Sequence, residues 1–206
     1  MRPPPGPQPA DELESPQSGP HVIVVVEGTN DICFLKHVSR LLYAHDPSLP
    51  NVAAWDDAGL LLFVPCGGTP DAWTSRLSPL GLPEFHLYDR ELPPETDRRR
   101  GLIAQINERP ACQAKLTAKR SLENYLHPAA IRAAGGLNVE FGDFDPVGEL
   151  VARRRHESLG GATPWQLLPR RSRKRMTHRA KRWLNTEAVR RMSIDELLLR
   201  DSAGEI

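Results

Sequence analysis

The sequence lacks several features that would place it in a well-defined protein class. It has three cysteines, Cys33, Cys66 and Cys112, and they form no Cys-x-x-Cys pair. Neither a zinc site nor a disulfide framework is therefore predicted. Cys33 and Cys66 lie in or beside apolar runs, and we expect them to be small core residues in a reducing compartment. No apolar run approaches a membrane-spanning length, and the first residues show no signal peptide, so a cytoplasmic protein without membrane contact is predicted.

A nucleotide-binding P-loop is also missing. The pair Gly67-Gly68 stands at a predicted strand-to-helix turn, but no Gly-Lys-Ser/Thr follows it. Any ATP hydrolysis linked to this protein would therefore come from another chain.

Charge is balanced in total but unevenly distributed. Residues 1–96 hold 5 basic and 13 acidic residues, a net charge of −8, whereas residues 97–206 hold 22 and 13, a net charge of +9. Such an arrangement suits a protein that gathers divalent cations in one place and polyanions in another. Ordinary surface charge is the competing explanation.

Hydrophobic patterning predicts an α/β fold. Residues 1–20 contain seven prolines and are predicted to form an extended tail. Residues 21–134 are predicted to form a mainly parallel sheet flanked by helices, because strand and helix patterns alternate. The predicted strands are 22–26, 60–65, 85–88 and 115–118, and the predicted helices of this domain are 29–45, 71–77, 95–108 and a short one from His127. Residues 135–206 are predicted to form a basic helical extension without a second sheet, with helices near 144–156, 177–183 and 186–199.

Two of the predicted strands end in pairs of carboxylates. Glu27 and Asp31 follow the first strand, and Asp89 and Glu91 follow the third. Burying a charge costs free energy, and ligands of open α/β sheets bind at the carboxyl ends of the strands. Mg²⁺ prefers oxygen ligands. These strand ends therefore predict a magnesium site, at which Asp89 and Glu91 point the same way if the extended conformation continues.

The same motifs resemble the Toprim domain, the catalytic fold shared by type IA and II topoisomerases, bacterial primases and several nucleases. The Toprim pattern is a Glu after the first strand and Asp-x-Asp after a later one, which here reads Glu27 and Asp89-Arg90-Glu91. Glu91 thus replaces the second Asp. The closer resemblance is to the Toprim part of OLD-family (overcoming lysogenization defect) nucleases. There the first motif reads Val-Glu-Gly-x-x-Asp/Glu, and a later Arg-x-Leu-Glu-Asn-Tyr-Leu segment corresponds to residues 120–126.

The resemblance implies a site for one or two Mg²⁺ or Mn²⁺ ions. It makes Glu27, Asp89 and Glu91 the central metal-binding acids, with Asp31 and Glu123 completing a second metal position. Glu27 could instead act partly as a general acid or base. For Asp31, a favourable charge at a helix N-terminus is the competing interpretation. For Glu123, the competing interpretation is a structural ion pair with a neighbouring basic residue, Arg120 or Lys119.

A basic run lies beyond the acidic motifs. It predicts salt-sensitive binding to nucleic-acid phosphates through Arg170, Arg171, Arg173, Lys174 and Arg175. A solvated helix face is the competing interpretation. The resemblance also implies a catalytic lysine in this region, with Lys181 as the first candidate and Lys174 as the second. Trp183 could stack on an unpaired base, but a buried anchor is the favoured interpretation.

The predicted function is metal-dependent hydrolysis of DNA phosphodiester bonds. By resemblance, the protein would act as the effector of a phage-defence system with a separate ATPase. A Toprim ribonuclease acting on structured or transfer RNA is one alternative. A non-catalytic nucleic-acid-binding or regulatory module is another. Oligomerisation is left open.

Overall fold

A four-stranded, all-parallel sheet forms the centre of the computed structural model, which describes residues 19–68, 70–204 and 206. Its strands, in the order β2-β1-β3-β4, are β1 (Val22–Val26), β2 (Leu61–Pro65), β3 (Glu84–Tyr88) and β4 (Cys112–Leu116). The predicted α/β class is confirmed. The predicted tail, residues 1–20, lies outside the described residues except for its last two positions.

Parallel pairing brings the ends of the strands to one edge of the sheet. Val25 of β1 is level with His86 of β3, so the residues that follow these two strands emerge side by side. Glu27 and Asp89 therefore lie at the same edge. Ligands bind at this edge in open α/β sheets.

Seven α-helices surround the sheet in the described part of the chain. They are α1 (Thr29–His45), α2 (Val52–Asp57), α3 (Glu95–Asn107), α4 (Pro128–Gly135), α5 (Val147–Ser158), α6 (Arg170–Trp183) and α7 (Ile194–Arg200). No helix within the described ranges is both long and apolar enough to cross a membrane.

Two apolar clusters hold the helices against the sheet. The cluster on the α3 side includes Ile23, Val25, Tyr88, Leu102 and Ile106. The larger cluster joins α1 to the segment after Gly135 and includes Phe34, Val38, Leu126, Leu184 and Val189. The last seventy residues therefore share a core with α1, and this contact fixes α6 relative to the strand ends.

Several local predictions were wrong. The loop before β2 contains α2, whose first turn is capped by the Asn51 side chain accepting the Ala54 N–H at 3.0 Å. The helix predicted at 71–77 is a single 3₁₀ turn, Pro70–Trp73. The helix predicted at 186–199 is split by a π-helical turn, Leu184–Ala188, and by Ser193, which caps α7. Cys33 is exposed, because it faces away from both apolar clusters on α1.

A chain of buried polar side chains runs along one face of β3. His86 is fully buried, and its ring nitrogens lie 2.8 Å from Tyr88 Oη and 2.8 Å from Glu84 Oε2. Arg109 also donates to both carboxylate oxygens of Glu84. His86 is thus a satisfied core histidine, in agreement with its predicted mid-strand position.

Candidate functional site

Glu27 leaves the end of β1 with its carboxylate turned towards β3. Its Oε1 accepts the backbone N–H of Asp89 at 2.9 Å. The same carboxylate is held from the α3 side by the buried guanidinium of Arg99. Its backbone carbonyl accepts the Gly67 N–H at 2.9 Å, which ties the end of β2 to the same place. Gly67 adopts φ +72°, so this tight turn needs glycine.

Asp89 follows β3, and its Oδ1 accepts a hydrogen bond from the N–H of Leu122 at 3.1 Å. Desolvation raises the pKa of Asp89 well above its ordinary value, and repulsion from Glu27 and Glu123 raises it further. A carboxylate in these surroundings is stabilised by a bound cation.

Asp31 lies in the first turn of α1 and accepts the Gly28 N–H at 2.7 Å. Burial, followed by repulsion from Glu123, raises its pKa to about 7. The Asn185 amide, from the π-helical turn, lies 3.4 Å from Asp31 Oδ1 and 3.2 Å from Glu123 Oε1. Asn185 therefore bridges the two acids without supplying charge.

Glu123 is 3% exposed and comes from the single turn after β4. Its Oε2 is buried and accepts no hydrogen bond from the part of the chain that the structure describes, and Lys181 Nζ lies 3.6 Å away. Neither Arg120 nor Lys119 pairs with Glu123, since they contact Glu91 and Asp143 instead. The competing interpretation, a structural ion pair of Glu123 with Arg120 or Lys119, therefore finds no support in these contacts.

Lys181 reaches the acids from α6. Attraction to Glu123, and then to Asp89 and Glu91, raises the pKa of its ammonium above its ordinary value, so the group stays charged. The side chain passes over Gly148 of α5, where an added Cβ would lie 2.6 Å from Lys181 Cγ. Only glycine leaves room for this path. Lys174, the second candidate, is exposed two turns earlier on α6.

Glu91 differs from the other acids in its backbone conformation and in its ion pair. Its backbone has φ 54°, so the extended conformation does not continue past Asp89, and the two side chains do not point the same way. Its Oε2 accepts a hydrogen bond from Arg120 Nε at 3.2 Å. The Arg120 contact involves one of the two carboxylate oxygens of Glu91.

The segment 120–126 builds the wall of the site. The Leu122 N–H binds Asp89, and Glu123 enters the acid group. The buried Asn124 amide donates to the carbonyls of Gly142 and Asp145 at 2.9 and 3.1 Å. The Tyr125 hydroxyl accepts the Ala118 N–H at 3.0 Å, which fixes the turn after β4.

Four carboxylates thus gather at the carboxyl edge of the sheet, namely Glu27, Asp31, Asp89 and Glu123. Hard oxygen donors suit Mg²⁺ or Mn²⁺, and the orphaned Glu123 Oε2 suits a cation. As the side chains of the described residues stand, no three from His, Cys, Asp or Glu could hold one metal ion. The donor chemistry fits a divalent ion, but ligation requires side-chain rotation.

Two residues that contact the acids, Arg99 and Asn185, could not be identified as site residues from the sequence. Arg99 stands in a charge-rich helix and resembles its exposed neighbours Arg98 and Arg100. Asn185 is 154 positions from Asp31. A third neighbour, Cys66, is buried as predicted; burial, followed by the charge of Glu27, raises the pKa of its thiol to about 11.

The predicted nucleic-acid residues divide between two faces of α6. Arg170, Arg171, Lys174 and Arg175 are exposed, whereas Arg173 is half-buried and its Nε has no hydrogen-bond partner. An open concavity of about 460 Å³ is lined by Arg171, Ser172, Lys174, Arg175 and His178. Trp183 is half-buried against the core and packs on Gly135, as expected of an anchor.

No protein-family model and no curated protein matches the sequence. Two solved structures of the C-terminal region of the OLD protein of Xanthomonas campestris pv. campestris are similar in fold. One, phased with iodine, has a TM-score of 0.46 and 17% identity, covering 90% of this chain and 96% of that one. The other, phased with platinum, has a TM-score of 0.43 and 15% identity, covering 90% and 94%. Similarity at this level transfers neither activity nor residue roles to this chain.

Proposed function

We propose that this protein is a divalent-cation-dependent nuclease that hydrolyses phosphodiester bonds. One observation carries the proposal: Glu27, Asp31, Asp89 and Glu123 gather at one edge of the sheet with a charged lysine beside them. Within the described ranges, the hydrogen-bond donors to Asp31 and Asp89 are all neutral. A binding surface for phosphate would gain nothing from such unpaired acids, because they repel phosphate until a cation is present.

The roles of the residues follow from their positions. Asp31, Asp89, Glu123 and Glu27 would hold Mg²⁺ or Mn²⁺ through carboxylate oxygens. When bound, such an ion makes a water molecule nucleophilic near neutral pH and stabilises the leaving oxygen. Lys181 would place its positive charge beside the phosphate in the transition state. Glu91, which pairs with Arg120 through one oxygen, would be a further ligand candidate.

The substrate would approach along α6. Arg171, Lys174 and His178 are exposed on this helix, which continues to Lys181 in the site. At 1.5 Å per residue, the ten positions between Arg171 and Lys181 span about 15 Å. That span is enough to contact several backbone phosphates without reading their bases.

DNA is our first candidate substrate, and structured or transfer RNA is the second. Phosphate contacts do not distinguish the two sugars. A separate ATPase partner and a role in phage defence follow only from the family resemblance of the motifs.

The test is a cleavage assay on plasmid DNA and on transfer RNA with Mg²⁺, Mn²⁺, Ca²⁺ or EDTA. We expect cleavage of one substrate with Mg²⁺ or Mn²⁺, weak cleavage with Ca²⁺ and none with EDTA. Lys181→Met should slow cleavage at saturating metal while leaving the fold intact, and Arg182→Met, an exposed neighbour on α6, is the matched control. Cleavage that persists in EDTA would contradict the proposal, as would no cleavage of either substrate.

A further inference from the structure

Arg99 is the cation that contacts Glu27. It lies on α3 with 7% of its surface exposed. Its Nη1 donates both to Glu27 Oε1 and to the Asp89 carbonyl, and its Nη2 lies 3.3 Å from Glu27 Oε2. Its Nε donates to Glu95 Oε1 at 3.0 Å. Four of its N–H groups are therefore used, as a buried guanidinium requires.

These contacts leave the Glu27 carboxylate little freedom. Its Oε1 accepts both the Asp89 N–H and Arg99, which uses the lone pairs of that oxygen. Among the described residues, its Oε2 accepts one bond, from Arg99, which leaves one lone-pair position on that oxygen. The side chain is 24% exposed, so solvent reaches it from one direction.

The two cations of the site divide the acids between them. Arg99 contacts the carboxylate of Glu27 and only the backbone carbonyl of Asp89. Lys181 contacts Glu123. Glu95 anchors the guanidinium from the opposite side, within one turn of the same helix. Arg99 is therefore held by two carboxylates and is not a mobile counterion.

We propose that Arg99 is a positioning residue that holds the Glu27 carboxylate in one orientation, with a single free lone-pair position on Oε2. The proposal rests on the proposed nuclease function. It follows that Glu27 would coordinate a divalent ion through one oxygen, Oε2. The positive charge of Arg99 would also repel that ion and so limit the affinity of the site for it. The planar two-pronged geometry matters as much as the charge, because one ammonium cannot hold both oxygens.

The test compares Arg99→Lys, which keeps the charge, with Arg99→Gln, which removes it. Arg100→Gln on the exposed side of α3 is the matched control. Arg99→Gln should tighten Mn²⁺ binding at least threefold in isothermal titration, whereas Arg99→Lys should stay within twofold of wild type. Cleavage at saturating Mn²⁺ should fall at least tenfold in both variants. Wild-type cleavage by Arg99→Lys, or weaker Mn²⁺ binding by Arg99→Gln, would overturn the proposal.

A double-mutant cycle of Arg99 and Glu27 distinguishes two effects of Arg99 on metal binding. One acts through its contact with the Glu27 carboxylate, and the other acts through its positive charge alone. In the Glu27→Gln background, the tightening caused by Arg99→Gln should shrink below twofold. If Arg99→Gln tightens Mn²⁺ binding equally in the wild-type and Glu27→Gln backgrounds, Arg99 acts only through its charge. That result would contradict the positioning role. A wild-type protein that cleaves nothing would contradict the nuclease function alone, because the Mn²⁺ titrations still decide the role of Arg99.

Discussion

The acids at the two ends of β3 are in opposite electrostatic states: Glu84, the first residue, is buried, whereas Asp89, which follows the last residue, is half-buried. At the amino end, burial alone would raise the pKa of Glu84, but hydrogen bonds from Arg109 and His86 outweigh it and lower the pKa. At the carboxyl end, Asp89 receives one backbone N–H and faces other carboxylates, and its pKa is raised. The two ends lie on one five-residue strand. Burial by itself therefore does not strain an acid, whereas burial without a cationic partner does.

This difference separates an acid that stabilises the fold from one that we propose binds a cation. Glu84 is 3% exposed and accepts three hydrogen bonds from Arg109 and His86, so its negative charge is compensated within the fold. Asp89 has free acceptor positions and an excess of negative charge around it. Strongly perturbed acids that lie together at a strand edge indicate a functional site.

The largest expected effect is on cleavage. Asp89→Ala and Glu27→Ala should each abolish hydrolysis, because each removes a carboxylate that would hold the divalent ion. The melting temperature without metal should stay level or rise in Asp89→Ala, since a repelled charge is removed. A cleavage assay and a thermal melt in EDTA measure both. If either variant cleaves at a near wild-type rate, the replaced carboxylate is not required for hydrolysis and the proposed site is wrong.

Glu84→Gln should show the opposite pattern. It leaves Arg109 and His86 beside a neutral amide, so we expect unfolding to become easier by roughly 2 to 4 kcal/mol. The folded fraction should still cleave at the wild-type rate. Urea unfolding beside the cleavage assay checks this. Unchanged stability would show that the two ends of β3 do not differ as described.

Asp31→Asn tests the electrostatic strain through pH. The folded pKa of Asp31 is about 7, above its ordinary value of 3.8, so the folded protein binds the proton more tightly than the unfolded chain. The wild type should therefore lose stability relative to the variant as pH rises from about 4 to 7, by at most about 4 kcal/mol. Comparing the two proteins at each pH cancels other titrating groups such as His86. If the free energies of unfolding of the two metal-free proteins differ by the same amount at every pH from about 4 to 7, the pKa of Asp31 is not raised in the folded protein. That result would contradict the electrostatic repulsion among the acids.

The basic face of α6 should give the smallest effect. Replacing Arg171, Lys174 and Arg175 by Gln should lower the log–log salt dependence of duplex binding by about 0.9 for each phosphate that is no longer neutralised. Arg153 and Arg154 of α5 are the control, because both already face Glu157, at 3.7 and 3.6 Å. An unchanged slope in the triple variant would mean that this face only contacts solvent.

Much of the sheet could be predicted from the sequence because β1 and β2 are short apolar runs, and acids directly follow β1 and β3. The run 22–26 coincides with β1, and parallel pairing of such runs is enough to bring Glu27 and Asp89 to one edge. The spacing could not reveal the turn at Glu91, because its positive φ depends on the backbone contact with Arg120. The carboxylate pair expected at Asp89 and Glu91 therefore did not form.

The rest of the site depends on contacts between distant parts of the chain. Lys181 was one of many basic residues in its run, and only the packing of α6 on α5 at Gly148 sets its path. Asn185 lies in a π-helical turn that no periodicity indicates. Arg99 looks like a surface residue until α3 packs beneath the acids. Such residues are identified by burial and pairing, which one sequence does not display.

The most direct measurement is a calorimetric titration of Mn²⁺ into the wild type, Asp89→Asn and Glu84→Gln, followed by thermal melts of each. We predict that the wild type and Glu84→Gln bind the ion and gain about 2.7 kcal/mol of stability at a hundredfold excess over the dissociation constant. Asp89→Asn should bind at least tenfold more weakly and lose most of this gain. Equal binding by all three proteins, or no binding by the wild type, would contradict the claim that the acids at the carboxyl edge await a cation.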